Sequence, residues 1–203
     1  MSAPEGASEG ALVQGDGAPM AGAGAPDLAA PFDTQATRMG ATTQRMPRAQ
    51  VGPRLAQLLC DEGCKTVALA AEVARWASIA QTLDRAGLVV VPTRDLRPTQ
   101  RADAGVSVAR LGVVETGSLL LHSTSEDRRV ELCVDVHVVL LDAAALAPTL
   151  DSAFAVLRDI AAHPPAYASL VTGPSRSADI ERQLTIGVHG PRALHVLLFE
   201  DRP

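Results

Sequence analysis

The chain has 203 residues and a formal net charge of −5 at pH 7; that length allows one domain, with or without a tail. The acidic balance and an aromatic content of 2% leave neither the basic stripe nor the stacking platform of a nucleic-acid surface. No run approaches the roughly 18 apolar residues of a membrane span, the start lacks the apolar stretch of a secretory signal, and Cys60, Cys64 and Cys133 are too few for a disulfide framework, so a cytoplasmic protein is expected.

Residues 1–50 are rich in Gly, Ala and Pro, with Phe32 as their one aromatic. Such a segment buries too little surface to offset its ordering entropy, so it is expected to be disordered, with Phe32 to Met46 the part best able to dock. A folded domain is expected over 51–203. Leu55, Leu58 and Leu59 have helical spacing, and that helix ends near Gly63. Thr66 to Ala70 reads as a buried strand. Val73, Ala77, Ile79, Ala80 and Leu83 predict a helix closed by Gly87. Strands follow at Leu88–Val91, Val106–Ala109, Ser118–Leu121 and Val136–Leu141. A helix is expected from Ala143 to Ala162, a strand from Ala168 to Val171, a helix from Ser175 to Leu184, and a closing strand from Leu194 to Phe199.

Several of these strands are continuous apolar runs, which points to an α/β protein with a mainly parallel sheet covered on both faces. Three strands crowd into residues 105–141 with no room for a crossover helix, so a mixed sheet with a local antiparallel part is expected.

Several chemistries are excluded or disfavoured by residue type. Lys65 is the only lysine. No Gly-Lys-Ser/Thr phosphate loop exists, and Lys65, at the start of an apolar strand, suits a Schiff base poorly. No Gly-x-Ser-x-Gly elbow is present, which disfavours a serine hydrolase. No Cys-x-x-Cys or His-x-x-x-His pair completes a metal ligand set, so no metal or cofactor is expected on this chain.

Three polar blocks lie where apolar strands meet turns. The first is Glu115-Thr116-Gly117-Ser118. Its carboxylate could act as base or nucleophile, Gly117 permits close backbone approach, and Thr116 and Ser118 offer hydroxyl donors. It could equally be a β-turn with polar turn residues. The second is Gly173-Pro174-Ser175-Arg176. At a helix start, capped by Ser175 or Ser177, it would offer free N–H groups and a guanidinium to an anion, with Asp179 and Glu181 in the first turns. The plainer alternative is a capped helix with a solvated arginine. The third is His189-Gly190-Pro191-Arg192, with a proton carrier and a second anion clamp, or else only a tight connection. His137 and His195 sit inside apolar strands and read as core histidines; His122 and His163 are scattered. The first two blocks are expected to converge on one anion-binding cleft, with His189 and Arg192 at its rim.

Taken together, these stretches resemble the LUD domain family, in its lactate-utilisation branch. The resemblance rests on residues 115–121, on Arg128-Arg129 followed by Val136-His137-Val138-Val139, on Thr172 to Glu181, and on Gly187 to Arg192 with the closing strand. It covers about 51–203. Where relatives often carry proline before the Asp-x-His stretch, this chain has Val134, preceded by Cys133. The resemblance implies a three-layer α/β/α fold of the NagB/RpiA/CoA-transferase-like group. It also implies a non-redox role in oxidising L-lactate to pyruvate, beside partner proteins that carry iron–sulfur clusters. Two other functions stay open: a free-standing CoA-transferase-like enzyme using Glu115 on a small anionic substrate, and a structural adaptor.

Overall fold

The computed structural model describes residues 27–96, 101–123, 127–162, 167–178, 184–186 and 190–200. In chain order the elements are α1 (Ala29–Arg38), β1 (Thr42–Pro47), α2 (Val51–Asp61), β2 (Thr66–Leu69), α3 (Ala71–Ala74), α4 (Ala77–Arg85), β3 (Val89–Val91), β4 (Ala102–Val113) and β5 (Ser118–Ser123). There follow α5 (Arg128–Leu132), β6 (Val134–Asp142), β7 (Leu146–Ala147), α6 (Leu150–Ala161), β8 (Tyr167–Val171), β9 (Arg176–Ala178), β10 (Leu184–Ile186) and β11 (Ala193–Glu200).

Six strands form a parallel path in the order β1-β11-β6-β4-β2-β3. The long β4 belongs to two neighbourhoods. Its first part pairs with β2 and β6; beyond a register shift between Ala109 and Leu111 it runs antiparallel to β5. β8 then joins β5 antiparallel, and β7 joins the end of β4. The antiparallel part thus falls within the crowded stretch expected from the sequence.

The sheet is the middle layer of an α/β/α sandwich. On one face Leu55 and Leu59 of α2 and Ile79 and Leu83 of α4 pack over Val106, Val138, Leu140 and Leu197. On the other, Phe32 and Ala36 of α1 pack with Leu119, Leu121, Val139, Leu141, Val196 and Leu198. Val138 and Leu140 therefore face one layer while Val139 and Leu141 face the other, the period of two that makes a doubly covered strand apolar throughout. Helix α6 closes the far end of β4 and β5, setting Ala153 and Ile160 against Val113 and Leu120.

The structure corrects three expectations. Residues 29–50 are not a disordered tail: α1 and β1 are part of the sandwich, and β1 is an edge strand hydrogen-bonded along β11 from Thr42 to Pro47. Helix α1 buries only Ala29, Phe32 and Ala36, small residues with one aromatic among them, so its apolar stripe is faint in the sequence. Strand β1 is polar because its stability comes from backbone pairing rather than from side-chain burial. Second, residues Arg176–Ala178 and Leu184–Ile186, expected at the two ends of a helix, are extended and pair antiparallel with each other. That ladder satisfies backbone groups a helix would otherwise satisfy, and intrinsic propensity is too weak to prevent it. Third, the helix expected from Ala143 begins at Leu150, after the short β7 and Pro148.

Two glycines let α1 lie where it does. Gly117 has φ +65°, and a Cβ there would come within 2.6 Å of the Ala36 amide nitrogen. Gly173 has φ +72°, and a Cβ there would overlap the Met39 carbonyl. Both positions combine left-handed backbone with contact against another backbone, which no side-chain movement relieves. Gly117→Ala and Gly173→Ala should therefore each cost about 2–4 kcal/mol in urea unfolding. Gly63 supplies the comparison: its φ is +72° but nothing lies within 4 Å of the added Cβ, so Gly63→Ala should cost only about 1 kcal/mol. Equal losses at all three positions would show that α1 does not press on the two loops.

Candidate functional site

The turn between β4 and β5 carries the first polar block, and its carboxylate has a structural task. Glu115 Oε2 accepts from the Leu150 amide at 2.9 Å, and the Glu115 amide donates to the Pro148 carbonyl at 3.1 Å. An exposed carboxylate at the start of α6 satisfies one of that helix's free N–H groups and complements its dipole. The Thr116 hydroxyl oxygen is buried and has no partner among the described residues. Ser118 is buried, and its Oγ lies 2.6 Å from Thr172 Oγ1. Ser118 thus touches Thr172, just before the second block, while Glu115 is committed to α6, and none of residues 115–118 lines the cavity that the second and third blocks wall.

The second block is tied to α1 and to the third. Arg176 Nη2 donates to the Met39 carbonyl at 2.8 Å, closing the carboxyl end of α1. Arg176 is therefore the donor to a helix carbonyl rather than a clamp at a helix start. The Ser175 amide donates to the Pro191 carbonyl at 2.9 Å, which lays 173–175 beside 190–191. Arg192 turns outward: its guanidinium is 3.0 Å from Glu62 Oε2, and Glu62 Oε1 lies 3.1 Å from His195 Nε2. It fastens the start of β11 to the end of α2. Asp179, Glu181 and His189 lie outside the described residues.

Between these loops and the sheet lies a cavity of about 280 Å³. Its walls include Gly173, Pro174, Ser175, Gly190 and Pro191, and its polar floor is Glu131, His137 and Ser169. His137 is 1% exposed, and its Nε2 lies 2.8 Å from Ser107 Oγ. Burial pushes its pKa down to about 4, so the ring is neutral at pH 7. Glu131 is also buried. Desolvation pushes its carboxyl above the ordinary range, against hydrogen bonds from Ser123 and Ser169. Among the described lining residues these are the only two ionisable side chains. Arg101 stands behind the wall, donating to the Val134 carbonyl and, at 3.2 Å, to the Gly190 carbonyl. Its Nε is also 3.2 Å from Asp135 Oδ1, an ion pair without hydrogen-bond alignment.

The cavity therefore offers hydroxyls, a neutral imidazole and a carboxyl biased toward its acid form. Sequence reasoning placed Gly173, Pro174, Ser175 and Gly190 at a site and missed Glu131 and Ser169. It took His137 for a core residue. A glutamate between Val130 and Leu132 on a one-turn helix carries no sign that it faces inward.

A family model of the LUD domain matches residues 82–199. Lactate utilization protein C of Anoxybacillus flavithermus is 29% identical over 109 residues, 53% of this chain and 49% of that protein. Its namesake in Bacillus subtilis is 29% identical over 112 residues, 53% and 47% of the two. An uncharacterized protein of Neisseria meningitidis is 36% identical over 96 residues, 47% and 41% of the two. The chain thus spans about half the length of the curated relatives it matches. The crystal structure of a DUF162 family protein from Deinococcus radiodurans superposes with a TM-score of 0.62 at 19% identity, covering 85% of this chain and 96% of that one. That likeness shows the fold.

The buried imidazole sets a pH dependence. Its folded pKa of about 4 lies below the unfolded value of about 6.5, so the unfolded chain binds more protons between those two values. Stability is then fully present above pH 6.5 and falls with pH through the window, by about 3 kcal/mol in all. Glu131, shifted upward, opposes this slope, because its acid form is the one the fold favours. Urea midpoints measured from pH 4.5 to 7 should rise with pH. His137→Gln should flatten that rise, and His122→Gln, at an exposed position, should keep it.

Proposed function

The chain belongs to the LUD domain family, and from that premise we propose that it is a non-redox component of an L-lactate utilisation system. It would hold a small anionic metabolite in the cavity between the 173–175 and 190–191 loops. One observation carries this reading. Buried Glu131 and His137 face a cavity walled by the loops that also carry the family resemblance. A volume of about 280 Å³ is at the lower end for small-molecule sites and suits a short 2-hydroxy or 2-oxo acid.

The chemistry fits a carboxylate held without a counter-charge. Ser175 can donate a hydroxyl hydrogen, and Glu131, whose carboxyl is shifted upward, donates a second where it is protonated. A neighbouring carboxylate pushes the Glu131 pKa further up, so binding should take up protons wherever free Glu131 is partly ionised. Oxidation of lactate would fall to iron–sulfur partner proteins. The Cys64 thiol is raised to about 11, chiefly by burial, which keeps it protonated and a poor metal ligand at neutral pH. Glu115 accepts from the first amide of α6 and does not line the cavity, which favours this reading over a CoA-transferase-like enzyme that would use Glu115.

Calorimetric titration with L-lactate and pyruvate is the test. Saturable binding with proton uptake is expected. Glu131→Gln should abolish the proton uptake, and Ser175→Val should weaken binding by about tenfold. Absence of binding for both acids would reject the metabolite role, and failure to co-purify with co-encoded iron–sulfur proteins would reject the partnership.

A further inference from the structure

The polar floor of the cavity is assembled across two neighbouring strands. His137 of β6 lies opposite Gly105 of β4 in the parallel register, and Ser107 follows two residues on. The imidazole and the hydroxyl therefore stand on the same face of the sheet. A Cβ on Gly105 would come within 2.2 Å of the Val130 carbonyl oxygen. The missing side chain lets α5 press onto β4 beside the imidazole, and Glu131, the next residue of α5, lines the same cavity.

This arrangement decides which ring nitrogen carries the proton. Ser107 is 5% exposed, and its Oγ has one hydrogen-bond partner among the described residues, His137 Nε2 at 2.8 Å. A buried hydroxyl proton left without an acceptor forfeits its solvation, whereas an unused lone pair is more readily tolerated. The serine proton therefore goes to Nε2, which is then the bare nitrogen of the neutral ring, and the ring's own proton sits on Nδ1. Nδ1 has no partner among the described residues, and His137 lines the cavity. The opposite tautomer would strand the serine proton and offer the cavity only a lone pair.

We propose that His137 donates through Nδ1–H to the oxygen at C2 of the bound acid, and that the cavity thereby selects a 2-oxo acid over the matching 2-hydroxy acid. This selectivity rests on the reading of the cavity as a metabolite site. Ser175 and Glu131 serve the carboxylate, so the imidazole proton is the donor left for C2. A carbonyl oxygen there only accepts. A hydroxyl can accept the same bond, but it brings a proton for which the imidazole has no acceptor. Ser107 is a positioning residue, fixing the tautomer without touching the ligand. The chain would then hold the product of lactate oxidation in preference to the substrate.

Nitrogen-15 spectra of the labelled full chain report the tautomer with no ligand present, the His137 signals being assigned by their loss in His137→Gln. At pH 7 Nδ1 should be the protonated nitrogen and Nε2 the bare one; a proton on Nε2 would overturn the donor role. Calorimetric titration at the same pH should give pyruvate about tenfold tighter than L-lactate. Ser107→Ala should mix the two tautomers and bring that ratio toward one. Equal affinity of the unaltered chain for the two acids, or a ratio untouched by Ser107→Ala, would overturn the selectivity while leaving the metabolite site standing. Absence of binding by both acids would instead reject the metabolite site, and the selectivity with it.

Discussion

The docking of α1 against two glycine turns is the contact on which the rest of the molecule is arranged. Ala36 rests on Gly117 and the Met39 carbonyl rests on Gly173, while Arg176 reaches back to that same carbonyl. Three connections far apart in sequence are thereby pinned in one place. The Gly173 loop cannot shift without moving Met39, and through the Ser175 amide it carries the 190–191 turn with it. The wall of the candidate cavity is therefore the reverse side of the seat for α1. The rigidity a small-ligand site requires comes from a helix that does not itself line that cavity.

The parts of the fold that were legible in sequence are those whose stability comes from side-chain burial. The runs of Val136–Leu141 and Leu194–Phe199 announce doubly covered parallel strands, and the Leu55, Leu58, Leu59 spacing announces α2. The parts that were not legible draw on other sources. Strand β1 is held by backbone pairing, α1 by one phenylalanine and alanines, and β9 by its partner β10. At the site, glycines and prolines marked the loops, since they are tied to backbone shape. Glu131 left no mark, because its burial is decided by where α5 is carried between β5 and β6. Conversely Glu115, Arg176 and Arg192, the residues with the most suggestive chemistry, are engaged in holding α6, α1 and α2.

The two ends of the sheet differ electrostatically. At the amino ends of β6 and β11 the exposed charges are paired, as in Arg192 with Glu62, and the cavity behind them holds a neutral imidazole and a carboxyl biased toward protonation. At the carboxyl ends of β1 and β11 the Arg48 guanidinium stacks over the rings of Trp76 and Phe199. Desolvation governs the first and cation–aromatic stacking the second.

The pairing of β1 with β11 also bears on how the chain is made. Thr42 lies opposite His195 and Pro47 opposite Glu200, a separation of about 150 residues that places this contact among the slowest kinds to form. On a ribosome, β1 emerges well before β11 and has no partner strand until β11 follows. An apolar, β-branched edge strand exposed for that interval would be a template for association with neighbouring nascent chains. The Thr-Thr-Gln-Arg-Met-Pro strand, with its charge and its proline, and the alanine-rich helix before it make a poor template. Their low hydrophobicity allows the segment to wait in solution until the sheet it completes has been synthesised.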